Sequence, residues 1–176
     1  MDDKLDLRDL YKPTPFTGET MVELLELEWF LGKREVDMNP PYQRDSVWTL
    51  EQREAFMGHL LTGGEVMPVI IQRVPDGGPQ EVLDGKQRLE TMLGWMKGQW
   101  GATLPDGRRL MVTDLPLRQR GSEKVPAGLH LVMIKVKFVN LPFEERKRFY
   151  VRFNSAGTPH SKADLERALA AKPKER

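Results

Sequence analysis

The sequence predicts an α+β fold, a small mixed sheet with helices packed on it, and three observations predict it. Residues 129–139 alternate, with Val132, Ile134, Val136 and Phe138 on one face and Lys135 and Lys137 on the other, the period of a half-buried strand. Residues 66–74 form a β-branched run, followed by the turn Asp76-Gly77-Gly78 and a short partner at 80–83, the layout of a hairpin. Leu89, Met92, Leu93 and Met96 recur at i, i+3, i+4 and i+7, which marks an amphipathic helix that closes at Gly98.

The other elements follow in chain order. Residues 1–19 read as an arm, with little periodicity and two prolines in the first sixteen positions. Residues 20–31 read as a helix: Thr20 and Glu23 fit a capping box, and Gly32 a stop. A short strand is expected at 34–38, ended by Pro40 and Pro41. Residues 49–61 form a second helix, opened by the Thr49/Gln52 box and closed by Gly63-Gly64. The Gly-, Pro- and Arg-rich stretch 99–128 reads as a long loop with a short strand near 109–112. Pro142 opens a helix through about Phe153, residues 154–159 turn, and Ser161 with Asp164 caps a last short helix. The expected organisation is one domain over 20–170 between the arm and a basic tail at 171–176.

Composition narrows the function classes. With 39% hydrophobic and 30% charged residues and no long apolar run, the profile is that of a soluble globular chain, expected in the cytoplasm. The absence of cysteine excludes disulfides, zinc fingers, iron–sulfur clusters and thiol catalysis. The net charge of +1 is unevenly spread: residues 1–38 carry −5, 39–107 carry −3 and 108–176 carry +9. A basic final third suits a phosphate backbone, and equally a solvated basic face.

Familiar catalytic motifs are missing. Gly85-Lys86 looks like the end of a P-loop, but Gln occupies positions 80 and 87 where that motif needs Gly and Ser or Thr. His59, His130 and His160 have no metal-ligand spacing, and no nucleophile elbow is present.

Three polar clusters remain. Asp84-Gly85-Lys86-Gln87-Arg88 lies where a strand passes into a helix. There, Gly85 permits close backbone approach, helix-start amides favour an anion, and Arg88 can grip a phosphate bidentately. Asp84 among these bases suits Mg²⁺ bridging phosphates. A charged first helical turn with no ligand has the same composition. Pro40-Pro41-Tyr42-Gln43-Arg44-Asp45 offers stacking, amide, guanidinium and carboxylate groups in succession. Arg152-Phe153-Asn154-Ser155-Ala156-Gly157-Thr158 ends a helix that also carries Arg146, Lys147 and Arg148, a candidate nucleic-acid face or a helix cap behind a solvated surface.

In combination, PPYQRDSVW, a helix, MPVIIQRV, EVLDGKQRLETM and RFNSAGTPHS resemble the N-terminal domain of the GmrS/GmrD family, bacterial restriction factors against modified phage DNA, over about residues 36–168. The same layout is similar to the wider ParB/sulfiredoxin superfamily. The resemblance implies a small α+β fold whose polar motif handles nucleotide phosphates, in a bacterial or phage-infected cell. The family motif usually reads D-G-Q-Q-R, so Lys86 is a departure. By resemblance, Gly85 and Gln87, Tyr42, Gln43 and Arg44, and Asn154 with Gly157 bind nucleotide. Asp84, Lys86, Arg88 and Asp45 are the candidate catalytic groups, Asp84 the candidate Mg²⁺ ligand, and Arg146, Arg148 and Arg152 the candidate DNA contacts. Family proteins carry a separate nuclease domain of the H-N-H type. These 176 residues contain no such cluster, so restriction by this chain alone is not expected, and a partner protein or second copy is. The expected function is NTP hydrolysis or phosphoryl transfer, with Mg²⁺ and NTP as cofactor and substrate, linked to DNA. The other reading is a non-catalytic nucleotide- or DNA-binding module.

Overall fold

The computed structural model describes residues 16–73, 79–154 and 161–173, with the backbone alone for Phe153 and Asn154. Its centre is a four-stranded mixed sheet built from β1 (Phe16–Glu23), β2 (Val69–Gln72), β3 (Glu81–Asp84) and β8 (Met133–Val139), in the order β1-β8-β2-β3. β8 runs antiparallel to β1 and parallel to β2, and β2 runs antiparallel to β3. β2 is buried at all four positions because it lies inside the sheet with packing on both faces.

Each face has its own core. Val69, Ile71, Val82, Ile134, Val136 and Phe138 point to one side, where three helices cover them: α1 (Leu27–Lys33), α2 (Leu50–Leu61) and α3 (Lys86–Met96). Trp95 is fully buried at the heart of this layer, and its indole N–H donates to the Leu110 carbonyl at 3.1 Å. The opposite face presents Ile70, Leu83 and Val139 to α4 (Phe143–Asn154) and α5 (Lys162–Ala170), through Phe149, Tyr150 and Ala168. Tyr42 belongs to this second core, tilted against Phe143 and Tyr150. The buried ammonium of Lys147 donates to the Leu169 and Ala171 carbonyls, tying the end of α5 to α4.

Most expected elements are present. The Thr49/Gln52 capping box forms in both directions at the start of α2. The Ser161/Asp164 box forms at α5, and its hydrogen bonds hold the Asp164 carboxyl below its ordinary range. The alternation of residues 129–139 holds within β8, but the strand begins at Met133, because Leu129–Leu131 makes a 3-10 turn first. The loop 99–128 contains two small ribbons, β4 (Ala102–Thr103) with β5 (Arg109–Leu110) and β6 (Leu117–Arg120) with β7 (Glu123–Pro126). The turn at Asp76–Gly78 lies outside the described residues, as do residues 1–15 of the expected arm and 174–176 of the tail.

Two expectations fail. Residues 20–31 are not one helix: Phe16–Glu23 is strand β1, Leu24–Glu26 a 3-10 turn, and the helix begins only at Leu27. Thr20 and Val22 lie opposite Val136 and Ile134, so tertiary pairing with β8 overrides the local capping pattern. Residues 16–19 are thus the first half of β1. The strand expected at 34–38 shrinks to a single bridge between Asp37 and Glu81.

Candidate functional site

The site forms where β3 ends and α3 begins. Asp84 is the last residue of β3, paired with Ile70 of β2, and Gly85 makes the turn with φ +97°. The left-handed backbone there suits glycine, and so does the space: a Cβ on Gly85 would lie 3.0 Å from Val69 Cγ2 and 3.3 Å from its Cα. α3 starts without a side-chain cap, so its first amides have no hydrogen-bonding side chain at the N-cap. Arg88 folds back across the turn. It makes an ion pair with the Asp84 carboxylate and donates to the carbonyls of Met67 and Pro68, the residues leading into β2. Acid, glycine turn and guanidinium thus form one unit, with both charged side chains mostly but not fully covered.

The middle residues of the motif point elsewhere. Lys86 is 6% exposed, and its ammonium donates to Asn39 Oδ1 at 2.7 Å and the Arg44 carbonyl at 2.9 Å, with Glu90 at 3.9 Å. Gln87 Oε1 accepts from Ser46 Oγ and from the backbone amides of Val47 and Trp48, each at 3.0 Å. Both side chains therefore reach the segment that carries the second cluster.

That segment is bound to the sheet by its own side chains. Gln43 Nε2 donates to the Val82 and Leu83 carbonyls. Tyr42 Oη donates to Glu81 Oε2 at 2.8 Å, and Arg146 donates to the same oxygen at 3.0 Å and to the Leu141 carbonyl. Arg44 lies 3.9 Å from the Asp164 carboxylate. Asp45 is exposed beside Ser46. Tyr42 and Gln43 face inward in this arrangement, and Arg146 braces α4 against β3 instead of presenting its charge outward. Arg148 and Arg152 are exposed on α4. Asn154 ends α4 with its side chain outside the described residues, and Gly157 lies outside them altogether.

Burial is the largest influence on Tyr42, followed by the neighbouring Glu81 carboxylate, and together they hold its phenol far above its ordinary range. A folded-state pKa raised above the unfolded value of ~10 gives stability that is complete below pH ~10 and fades as pH rises beyond it. Tyr42→Phe is expected to lose about 1.5–3 kcal/mol at pH 7, the range for a hydrogen bond to a charged group, and to flatten the loss of stability above pH ~10. Urea melts between pH 7 and 11 test this, and equal alkaline slopes in both proteins contradict it.

Sequence reading passed over four participants. Glu81 is a carboxylate shared by Tyr42 and Arg146, and a single acid in a short strand gave no sign of it. Asn39 and Ser46 flank the named cluster. Arg53 of α2 donates to Ser46 Oγ at 2.6 Å and to the Trp48 carbonyl at 3.2 Å. Its only sequence signal is its place one turn after the Thr49 cap. Among the described residues, no group of three or more histidines or carboxylates is placed to hold a metal ion.

Comparison with known proteins decides the family. The model of the GmrSD restriction endonuclease N-terminal domain matches residues 27–171. The chain belongs to this family. Searches of the curated proteins and of the solved structures find no match. The match associates this GmrSD-type domain with DNA restriction, and it includes the whole strand-to-helix turn and the segment latched to it. No helix among the described residues is long and apolar enough to cross a membrane.

Proposed function

We propose that this GmrSD-type domain binds a nucleoside triphosphate at the start of α3 and hydrolyses it or transfers its phosphoryl group in the service of DNA restriction. One observation carries the reading: a left-handed glycine turn delivers an uncapped helix start beside a guanidinium and a carboxylate. Helix-start amides and the helix dipole favour phosphate oxygens, and the Arg88 guanidinium, held by Asp84 and the Met67 and Pro68 carbonyls, adds positive charge beside them. The order of the polar clusters along the chain supports kinship with the ParB/sulfiredoxin superfamily.

Mg²⁺ belongs to this proposal only as an ion that arrives with the phosphates. Asp84 is the one carboxylate of the motif, and one of its oxygens already accepts from Arg88, so these residues do not fit a resident metal. Mg²⁺ commonly takes one or two carboxylates together with phosphate oxygens. The exposed Arg148 and Arg152 offer charge to a DNA backbone, and a nuclease partner would supply strand cleavage.

The Asp84–Arg88 ion pair favours a second reading, a non-catalytic nucleotide-binding module, because it ties up the acid that turnover would use. Phosphate release from ATP, GTP, CTP and UTP with Mg²⁺, with and without DNA, separates the two. Turnover supports the enzyme. Saturable binding without turnover supports the module.

A further inference from the structure

We propose that Lys86 and Gln87 are positioning residues: they latch residues 39–48 onto the start of α3, leaving Asp84, Arg88 and the first amides of α3 to meet the ligand. This rests on the reading that phosphate binds at that helix start. The Lys86 ammonium is buried and needs acceptors, and it has two within 2.9 Å, Asn39 Oδ1 and the Arg44 carbonyl. Reaching a phosphate would require it to abandon both. A single oxygen of Gln87 takes three donors from consecutive residues, Ser46, Val47 and Trp48. Arg53 holds the same stretch by donating to Ser46 Oγ and the Trp48 carbonyl, so within Ser46–Trp48 the donors go to Gln87 and these two acceptors to Arg53. The latch fixes where exposed Asp45 stands relative to Asp84, because Asp45 lies between the Lys86 anchor at Arg44 and the Gln87 anchor at Ser46.

Hydrogen exchange of the full chain tests this, first without nucleotide. Gln87→Met is expected to speed exchange of the Val47 and Trp48 amides at least tenfold while α3 keeps its protection. Gln87→Glu, whose carboxylate oxygen accepts the same donors, is expected to restore the wild-type rates. Lys86→Met is a second variant, expected to loosen residues 39–44 and leave the Val47 and Trp48 amides nearly unchanged. Unchanged exchange in both methionine variants overturns the latch. ATP or GTP with Mg²⁺ is then added to the wild type. Protection of Val47 and Trp48 that holds or rises supports positioning. Protection that falls means Gln87 has turned to the ligand, and overturns it. A wild type that binds no nucleotide defeats the functional reading alone, since the ligand-free exchange still decides the latch.

Discussion

Gly85→Ala is expected to destabilise the domain by at least ~2 kcal/mol, which lowers the melting temperature by about 4–8 °C for a chain of this size. Two causes act together. The backbone at φ +97° is unfavourable for any residue with a Cβ, and the added carbon would press on Val69, which is buried and paired with Val136 of β8. The turn cannot relax without moving Asp84 out of register with Ile70 or moving the start of α3. Nucleotide affinity is expected to fall further than stability, because the amides that would meet the phosphate begin at the next residue. Thermal melts and calorimetric titration of the same preparation check this. A variant with the wild-type melting temperature and affinity contradicts it.

Under the enzyme reading proposed above, Asp84→Asn is expected to lower turnover by about a hundredfold or more while the nucleotide still binds. The substitution keeps the side chain's size and removes its charge. Arg88 should stay in place, because it also donates to the Met67 and Pro68 carbonyls. A stability cost is expected as well, since the pair is mostly covered and the substitution leaves the Arg88 guanidinium without its counter-charge. Steady-state NTPase assays beside melting curves make the comparison. Normal turnover in the variant removes Asp84 from the chemistry and makes Asp45 the acid to examine. A large drop in melting temperature with normal turnover makes the Asp84–Arg88 pair a brace alone.

The parts of this fold that local chemistry dictates were legible. β8 shows its strand character because one of its faces is buried against α1–α3 and the other carries Lys135 and Lys137. The caps at Thr49 and Ser161 are visible because side chain and partner lie three residues apart. β1 was misread because nothing local distinguishes Thr20-x-x-Glu23 in a strand from the same residues at a helix start, and pairing with a strand more than a hundred residues away decides it. The site divides in the same way. The glycine turn and the neighbouring charges follow from order along the chain. The direction of each side chain does not: Lys86 and Arg88 look alike as bases, yet one is enclosed by Asn39 and Arg44 and the other crosses the turn to Asp84. Tyr42, Gln43 and Arg146 read as ligand groups along the chain, and only the long-range contacts with Glu81 and the β3 backbone reveal their partners within the fold.

Calorimetric titration of ATP, GTP, CTP and UTP with Mg²⁺ into the wild type and Arg88→Ala tests the central claim most directly. Arg88 also anchors the approach to β2, so the variant is expected to melt lower, and the titration belongs well below its melting temperature. The account predicts saturable binding of at least one nucleotide by the wild type and at least tenfold weaker binding by the variant, a loss of ~1.4 kcal/mol or more. Equal affinity in the two proteins, or no binding of any of the four by the wild type, would contradict it.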